Sequence, residues 1–381
     1  MSKYMTGEIM LKSLEIRNYR NLKHLKIDKL GRVNLIVGKN NTGKTSVLEA
    51  VSIWALEGKF DWIFKLLQKR KEYFEIEELT PYEQFKNLSN IFFQRKVLFS
   101  QDDAIQIVAP LSTLSLRFVR YIDANSFENL ADAPQGLPEV FGKIYSYKKE
   151  VGTDIQGAKL GLECKINEKI KFRPFTRENI SEFLADSEAE FESLPKVLFV
   201  SASSMDEELV ADLWRKTQLT DLEEEVVKGL RILDDNIERI SFQRHEDTEY
   251  AICKVKGYTS PLPLRSMGDG INRILTIILA MVNCENGYLL IDEFENGLHY
   301  SVQEKLWEII FHLAERLNVQ VFATTHSYDC IDAFSEVLNG GKYAKDSGVM
   351  IRLDNFKDTI EATVYDANEI QNTTRLHVDP R

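Results

Sequence analysis

Short apolar runs open the chain, and an apolar pattern of helical period follows them. Residues 11–17, 25–27 and 33–37 carry apolar runs split by Asn, Gly and charged residues, which predicts three strands. Apolar side chains then recur at helical spacing and predict a helix from residue 44 to about 56. The segment between the third strand and this helix is rich in glycine and asparagine.

The same alternation returns near the C-terminus. The pattern predicts strands at 251–255, 288–291 and 319–325, and amphipathic helices at 271–282 and 302–317. Strands that alternate with helices predict an α/β fold with a mixed, largely parallel central sheet. Since ligands of such sheets bind at the carboxyl ends of strands, the polar residues that follow these strands are the first candidates for a site.

The middle of the chain has a mixed pattern. It predicts helical pieces at 60–78 and strands within 105–119 and 160–172, followed by an acidic stretch with helices near 206–216 and 222–233. Residues 181–249 hold 19 acidic and 7 basic residues. We therefore predict one domain made of two halves, residues 1–120 and 250–381, around an inserted, mostly helical acidic lobe at 121–249.

Composition narrows the class of protein. The net charge of −11 is concentrated in the acidic stretch, so the remainder is slightly basic and a surface that binds nucleic acid stays possible. No run of 18 apolar residues occurs, which argues against a membrane span. The first ten residues lack the apolar core of a signal peptide, and the four cysteines form no CxxC pair. We expect a cytoplasmic protein with free, buried thiols.

Residues 38–45 match the phosphate-loop pattern G-x-x-x-x-G-K-[ST] in full. In such a loop backbone amides hold the phosphates of ATP, Lys44 reaches the outer phosphates, and Thr45 binds Mg²⁺. A glycine turn without a nucleotide is the alternative, which the strand before the loop and the helix after it disfavour. The predicted ATP-binding residues here are Gly38, Lys39, Asn40, Asn41, Thr42, Gly43, Lys44, Thr45 and Ser46.

Polar residues also follow the last two predicted strands. Asp292 and Glu293 end one strand, where Asp292 would hold Mg²⁺ and Glu293 would polarise the attacking water. His326 ends the next strand and could contact the γ-phosphate or position the water. A solvated turn and a structural histidine are the alternatives, and the phosphate loop upstream favours the catalytic roles.

A second candidate surface for an anion precedes the helix at 271–282. Ser266, Gly268 and Gly270 lie at its N-terminus, where backbone amides and a hydroxyl are available. One nucleotide has little need of two such surfaces within one chain, so this surface would serve ATP held by another subunit. A glycine-rich hinge beside a helix cap is the alternative.

Together these motifs resemble the ABC-type ATPase heads of the SMC, RecF and OLD groups. The resemblance implies that Ser266 and the following glycines form a signature motif, that residues 296–299 form the D-loop, and that His326 is the switch histidine. It also implies that Arg20, in the turn after the first strand, approaches the nucleotide. The sequence departs from transporter heads at Met-Gly-Asp-Gly, and it offers only Gln94 and Gln101 as Q-loop candidates.

Residues 290–299 and 323–327 look most like OLD-type ATPases, which occur in phage defence. Many OLD proteins also carry a Toprim nuclease of about a hundred residues, whereas only about fifty residues follow His326. An SMC protein would need a long coiled coil, and no heptad run supplies one. The chain thus resembles a stand-alone OLD-type ATPase whose effector would be a separate protein, with a Toprim nuclease as the candidate.

The resulting expectation is an enzyme that binds and hydrolyses ATP between two copies of itself, as a homodimer or higher oligomer. It would act as a switch or sensor for a separate effector. The alternative is a DNA-binding RecF-like or SMC-like ATPase in DNA repair or processing. A GTPase is disfavoured, because the sequence has no Asn-Lys-x-Asp guanine-binding motif.

Overall fold

The computed structural model describes most of the chain. The described residues are 10–72, 80–96, 103–110, 112–123, 139–140, 144–147, 159–167, 169–175, 194–202, 207–245, 248–357, 359–376 and 379. Among them no helix is long and apolar enough to cross a bilayer.

A six-stranded sheet forms the centre of the described structure, and only its last strand is antiparallel to its neighbour. Its spatial order is β10 (Val197–Val200), β14 (Tyr288–Ile291), β15 (Gln320–Thr325), β3 (Val33–Val37), β16 (Gly348–Phe356) and β17 (Thr359–Tyr365). All residues of β3, β14 and β15 are buried, as expected for strands covered on both faces. The predicted largely parallel central sheet is confirmed.

Helices cover both faces of this sheet and create two hydrophobic cores. Leu35 and Leu289 point into one core, whereas their neighbours Ile36 and Leu290 point into the other, because successive side chains of a strand alternate. The helices are α1 (Lys44–Ala55), α2 (Phe60–Lys69), α3 (Pro81–Ser89), α4 (Glu207–Thr217), α5 (Glu223–Leu230), α6 (Asp269–Asn283), α7 (Tyr300–Arg316), α8 (Tyr328–Asn339) and α9 (Ala367–Arg375).

Two antiparallel sheets complete the described elements. The smaller contains β11 (Ile237–His245), β12 (Thr248–Val255) and β13 (Leu262–Pro263). The larger contains β1 (Leu14–Tyr19), β2 (Leu22–Ile27), β4 (Ile105–Ala109), β5 (Ser112–Asp123), β6 (Glu139–Val140), β7 (Ile144–Tyr147), β8 (Lys159–Ile166) and β9 (Lys169–Pro174). It holds the tight turn between β1 and β2 beside the phosphate loop.

The predicted boundaries of the acidic lobe, 121 and 249, stay a prediction. Within that segment β8 pairs with β5, and β10 is the edge strand of the central sheet. The two predicted helices are present as α4 and α5, and both pack against α6. The described part of the segment therefore adds strands to the sheets of the head as well as two helices. Residues 181–193 of the acidic stretch lie outside the described residues.

Candidate functional site

The phosphate loop connects β3 to α1 through backbone conformations that favour glycine. Gly38 has φ of 145° and Gly43 has φ of 86°. A Cβ on Gly38 would lie 2.5 Å from the carbonyl oxygen of Leu353, so a side chain there would displace backbone. The Thr42 hydroxyl donates a 2.8 Å hydrogen bond to the Lys39 carbonyl and closes the turn. The loop thus depends on glycine at its first position for steric as well as conformational reasons.

Lys44 is the first residue of α1 and lies across the loop. Its Nζ donates to the carbonyls of Gly38 (2.7 Å) and Lys39 (2.9 Å). Desolvation lowers the pKa of Lys44, and the charges of Asp292 and Glu293 oppose that shift. The ammonium is therefore close to the acidic end of β14 and lies at the positive end of the α1 dipole, where an anion is stabilised.

Asn21 braces the loop, although sequence reasoning gave it no role. Its Nδ2 donates to the Asn41 carbonyl at 3.2 Å, and its Oδ1 accepts a 3.1 Å hydrogen bond from the Ser46 hydroxyl. The predicted site residue Ser46 therefore uses its side chain to hold the turn between β1 and β2. Asn18 near the end of β1 and Arg20 in the turn both have positive φ, and the cluster Asn-Tyr-Arg-Asn was the available signal.

Arg20 lies beside the same loop, but two carboxylates bind its guanidinium. Its Nε is 2.6 Å from Glu49 of α1, and its Nη1 is 2.7 Å from Glu72. Glu49 also accepts hydrogen bonds from the Tyr19 hydroxyl and from Arg70. The structure therefore shows Arg20 as part of a buried ion-pair network on the wall of the site. Its direct contact with the nucleotide stays a prediction.

Thr45 and Asp292 come together from distant parts of the sequence. The Thr45 hydroxyl is 3.0 and 3.1 Å from the two carboxylate oxygens of Asp292, and the Thr324 hydroxyl donates to Asp292 Oδ1 at 2.7 Å. Thr324 Oγ1 also accepts the Glu293 amide at 2.8 Å, where Glu293 has φ of 49°. Thr324 of β15 therefore sets both acidic residues at the end of β14.

The Thr45 hydroxyl and the Asp292 carboxylate are suitable oxygen ligands for Mg²⁺. The ion prefers oxygen ligands, keeps several waters, and is commonly bound by one or two carboxylates together with substrate phosphates. One hydroxyl and one carboxylate at 3.0 Å, next to the loop that would hold the phosphates, match that requirement. The described residues contain no cluster of three or more His, Cys, Asp or Glu that could hold a metal by itself.

A cleft of about 580 Å³ opens at the carboxyl ends of the central strands. We call it the phosphate-loop cleft, and the residues that matter for its chemistry are Arg20, Lys44, Thr45, Gln94, Asp292 and Glu293. Gln94 is thus the Q-loop candidate that the fold places at the site, whereas Gln101 lies outside the described residues. Gln94 and Arg95 both have positive φ, in a short helical turn that a β-bridge between Tyr19 and Phe92 precedes.

Arg273 is a further residue that the sequence did not reveal. From α6 its guanidinium donates to the carbonyls of Ser201 (2.6 Å), Asp292 (2.7 Å) and Glu293 (2.9 Å). The residue is 8% exposed. One buried cation thereby joins the ends of β10 and β14 to the helix that begins just after Ser266.

The predicted residues His326, Ser266, Gly268 and Gly270 are not among those that line the cleft. His326, at the end of β15, is bound to Glu295 through its ring Nδ1 at 3.0 Å and its backbone N–H at 2.9 Å. Ser266 is exposed, and its hydroxyl donates to the Pro263 carbonyl at 2.7 Å. Gly268 has φ of 105° and open space at its Cβ position. Neither Ser266 nor Gly268 lines the described cleft.

Gly270, in the predicted signature motif, lies close to the backbone of the predicted D-loop. A Cβ on Gly270 would lie 2.9 Å from the Gly297 carbonyl oxygen. In that predicted D-loop, the Asn296 side-chain amide donates to the Ala202 carbonyl at 2.7 Å. His299 caps α7, because its side chain accepts the Ser301 backbone N–H.

A phosphate loop after β3, an acidic pair after β14, a histidine after β15 and a serine-glycine motif before α6 define an ABC-type ATPase head of the SMC and RecF group. The chain belongs to the family described as AAA ATPase domain, whose model matches residues 10–104 and 138–331.

Two relatives match this chain over most of its length and over nearly all of their own. An "ATP/GTP phosphatase" of Helicobacter pylori is 26% identical over 376 residues, which cover 94% of this chain and 96% of the relative. The DNA replication and repair protein RecF of Staphylococcus epidermidis is 23% identical over 378 residues, covering 87% and 96%. Among solved structures, an Smc head bound to the C-winged helix domain of ScpA matches with a TM-score of 0.49 at 13% identity, covering 95% and 99%.

Substitution of Gly38 by Ala should weaken ATP binding at least about tenfold, because the methyl group would meet the Leu353 carbonyl and the φ of 145° would be strained. Gly257→Ala is the matched control, since Gly257 also has positive φ but nothing lies within 4 Å of its Cβ position. Equilibrium binding of a fluorescent ATP analogue measures the difference. Equal affinities of the two variants would contradict a steric role for Gly38.

Proposed function

We propose that this protein is an ATPase that binds ATP and Mg²⁺ between two copies of the chain and hydrolyses the γ-phosphate bond. The contact of Thr45 with Asp292 beside Lys44 is the observation that carries this proposal. Mg²⁺, when bound, neutralises developing charge on the phosphates. Lys44 and the α1 N-terminus bind the outer phosphates, and Glu293, which lines the cleft, polarises the attacking water.

Ser266 and the glycines after it complete the site of the other copy. Ser266 is exposed and lies outside the cleft of its own chain, which is the arrangement that a trans-acting motif requires. A two-fold symmetric dimer would repeat that contact at both nucleotides. Arg273 links the helix after this motif to Glu293, so nucleotide-dependent assembly and hydrolysis would be coupled.

Complementation between two inactive variants tests the sandwich. Lys44→Ala removes the phosphate contact in cis, and Ser266→Arg blocks the contact in trans, so each alone should hydrolyse no ATP. An equal mixture forms heterodimers with one intact site, and we expect roughly a quarter of wild-type activity from random pairing. Full activity of Ser266→Arg alone would remove Ser266 from the site. An inactive mixture would contradict the composite site.

For the biological role we propose a switch that holds and releases a separate effector, such as a Toprim nuclease in phage defence, as the OLD-type resemblance suggests. The acidic stretch at 181–249 supports a protein partner. A cytoplasmic location goes with this role.

The second candidate is a DNA-binding ATPase in repair or processing, which the likeness to RecF favours. Duplex DNA at low salt separates the two roles. ATP-dependent binding that weakens steeply with salt supports the DNA role, and no binding at low salt supports the protein partner.

A further inference from the structure

The switch-position histidine is bound to a carboxylate other than the acidic pair at the end of β14. Glu295 Oε1 lies 3.0 Å from the Nδ1 atom of His326 and accepts the His326 backbone N–H at 2.9 Å. Glu295 therefore contacts both the ring and the main chain of the same residue, and this double contact fixes the position of the histidine relative to the end of β14.

Glu295 is enclosed, whereas the ring that it holds is accessible. The Glu295 side chain is 11% exposed and that of His326 is 53% exposed. The second carboxylate oxygen, Oε2, is buried and has no hydrogen-bond partner among the described residues. Burying a carboxylate is unfavourable unless it is paired, so a role for this one is to be sought in its contact with His326.

The sheet places this pair next to the phosphate loop. Thr325 pairs with Val37 in the register of β15 and β3, so His326 follows at the level of Gly38. The charge of Glu295 also acts on Lys44 and on Arg273. Glu295 is thus a third carboxylate at the carboxyl ends of the central strands, beside Asp292 and Glu293.

We propose that Glu295 is a positioning residue that holds the neutral His326 ring with its proton on Nδ1, so that Nε2 accepts a hydrogen bond from the attacking water. This inference rests on the proposed ATPase function. An ionised carboxylate only accepts hydrogen bonds, so the ring nitrogen that faces it must carry the proton. A carboxylate that selects a histidine tautomer in this way also fixes the ring orientation.

The tautomer decides between two roles for His326, which are contact with the γ-phosphate and contact with the attacking water. In neutral imidazole the nitrogen without a proton is an acceptor only. Nε2 of the Nδ1–H form cannot donate to an oxygen of the γ-phosphate, but it can accept from a water molecule, which has protons to donate. The Glu295 contact therefore favours the water over the phosphate as the partner of His326.

Histidine ring ¹⁵N spectra of the full chain without nucleotide, at about pH 8 where imidazoles are mostly neutral, test the tautomer. His326→Gln assigns the signal. We expect the Nδ1–H pattern in the wild type, its retention in Glu295→Gln, whose amide oxygen can still accept, and its loss in Glu295→Ala. Glu304→Ala, on the exposed side of α7, is the matched control and should leave the signal unchanged.

The same variants are assayed for ATP hydrolysis. Glu295→Ala should lower kcat on the order of tenfold with little change in KM for ATP, and Glu295→Gln should restore most of kcat. A wild-type Nε2–H signal, or Glu295→Ala with unchanged tautomer and kcat, would overturn the proposal. A wild-type protein that hydrolyses no ATP would instead overturn the proposed function, and the nucleotide-free spectra would still decide the role of Glu295.

Discussion

Replacing Glu293 by Gln is expected to lower kcat for ATP hydrolysis by about 10²- to 10⁴-fold and to leave ATP binding intact. The amide keeps the size of the side chain but cannot take up a proton from water. Thr324 accepts the Glu293 N–H, and Arg273 donates to the Glu293 carbonyl. Because both contacts involve main-chain atoms, the substitution should not disturb the backbone after β14. Single-turnover hydrolysis measures the chemical step, and light scattering measures the mass of the assembly with ATP and Mg²⁺.

A second result expected of Glu293→Gln is that it stays trapped as an ATP-bound oligomer. If ATP bridges two copies, the variant that cannot hydrolyse it should accumulate as the larger species. Glu285→Gln is the matched control, because Glu285 is exposed near the opposite end of β14. Wild-type hydrolysis by the Glu293 variant would show that another group polarises the water. A monomeric mass with ATP would contradict the sandwich.

Replacing Arg273 by Met should cost about 3 kcal/mol or more in the free energy of unfolding and should also lower kcat. The substitution removes three hydrogen bonds donated by a charged guanidinium, each worth about 1.5–3 kcal/mol, although the Glu293 carbonyl keeps the 3.1 Å hydrogen bond from the Asn296 N–H. Because two of these carbonyls belong to Asp292 and Glu293, the acidic pair would lose its support. Urea unfolding and steady-state hydrolysis measure the two effects.

Two variants check that interpretation. Arg239→Met removes an exposed arginine of β11 and should change the free energy of unfolding by less than about 0.5 kcal/mol. Arg273→Lys keeps the charge but not the planar set of donors. Its free energy of unfolding and its kcat should therefore lie between those of the wild type and of Arg273→Met. An Arg273→Met protein as stable and active as the wild type would show that these three hydrogen bonds contribute nothing.

The local elements of the head follow closely from the sequence. The helix predicted at 44–56 is α1 (Lys44–Ala55), and the strand predicted at 33–37 is β3 (Val33–Val37). Both predictions used the spacing of apolar residues and the glycine-rich segment between the two elements. These signals involve only residues that are near one another in the sequence. Asp292 and His326 were expected close together because the carboxyl ends of parallel strands lie at the same edge of a sheet. β14 and β15 are indeed adjacent.

The supporting residues could not be found in the same way. Asn21, Arg273 and Glu295 are each ordinary in their local sequence, and each contacts a partner from another element of the fold. Asn21 holds Asn41 and Ser46, some 20 to 25 residues away, and Arg273 reaches back 72 residues to Ser201. Such contacts depend on strand register and helix packing, which hydrophobic period does not encode.

Residue type and spacing at 38–45 were enough to predict a phosphate loop, because they place backbone amides, an ammonium and a hydroxyl at one strand-to-helix junction. The apolar pattern was likewise enough to predict the strands of the central sheet at 33–37, 288–291 and 319–325, because strands covered on both faces are mostly apolar. The contacts of Thr45 with Asp292, of Arg273 with the acidic pair and of Glu295 with His326 became visible only in the folded chain. These contacts arise from the order of strands in the sheet, which depends on packing free energy summed over both cores rather than on any local segment.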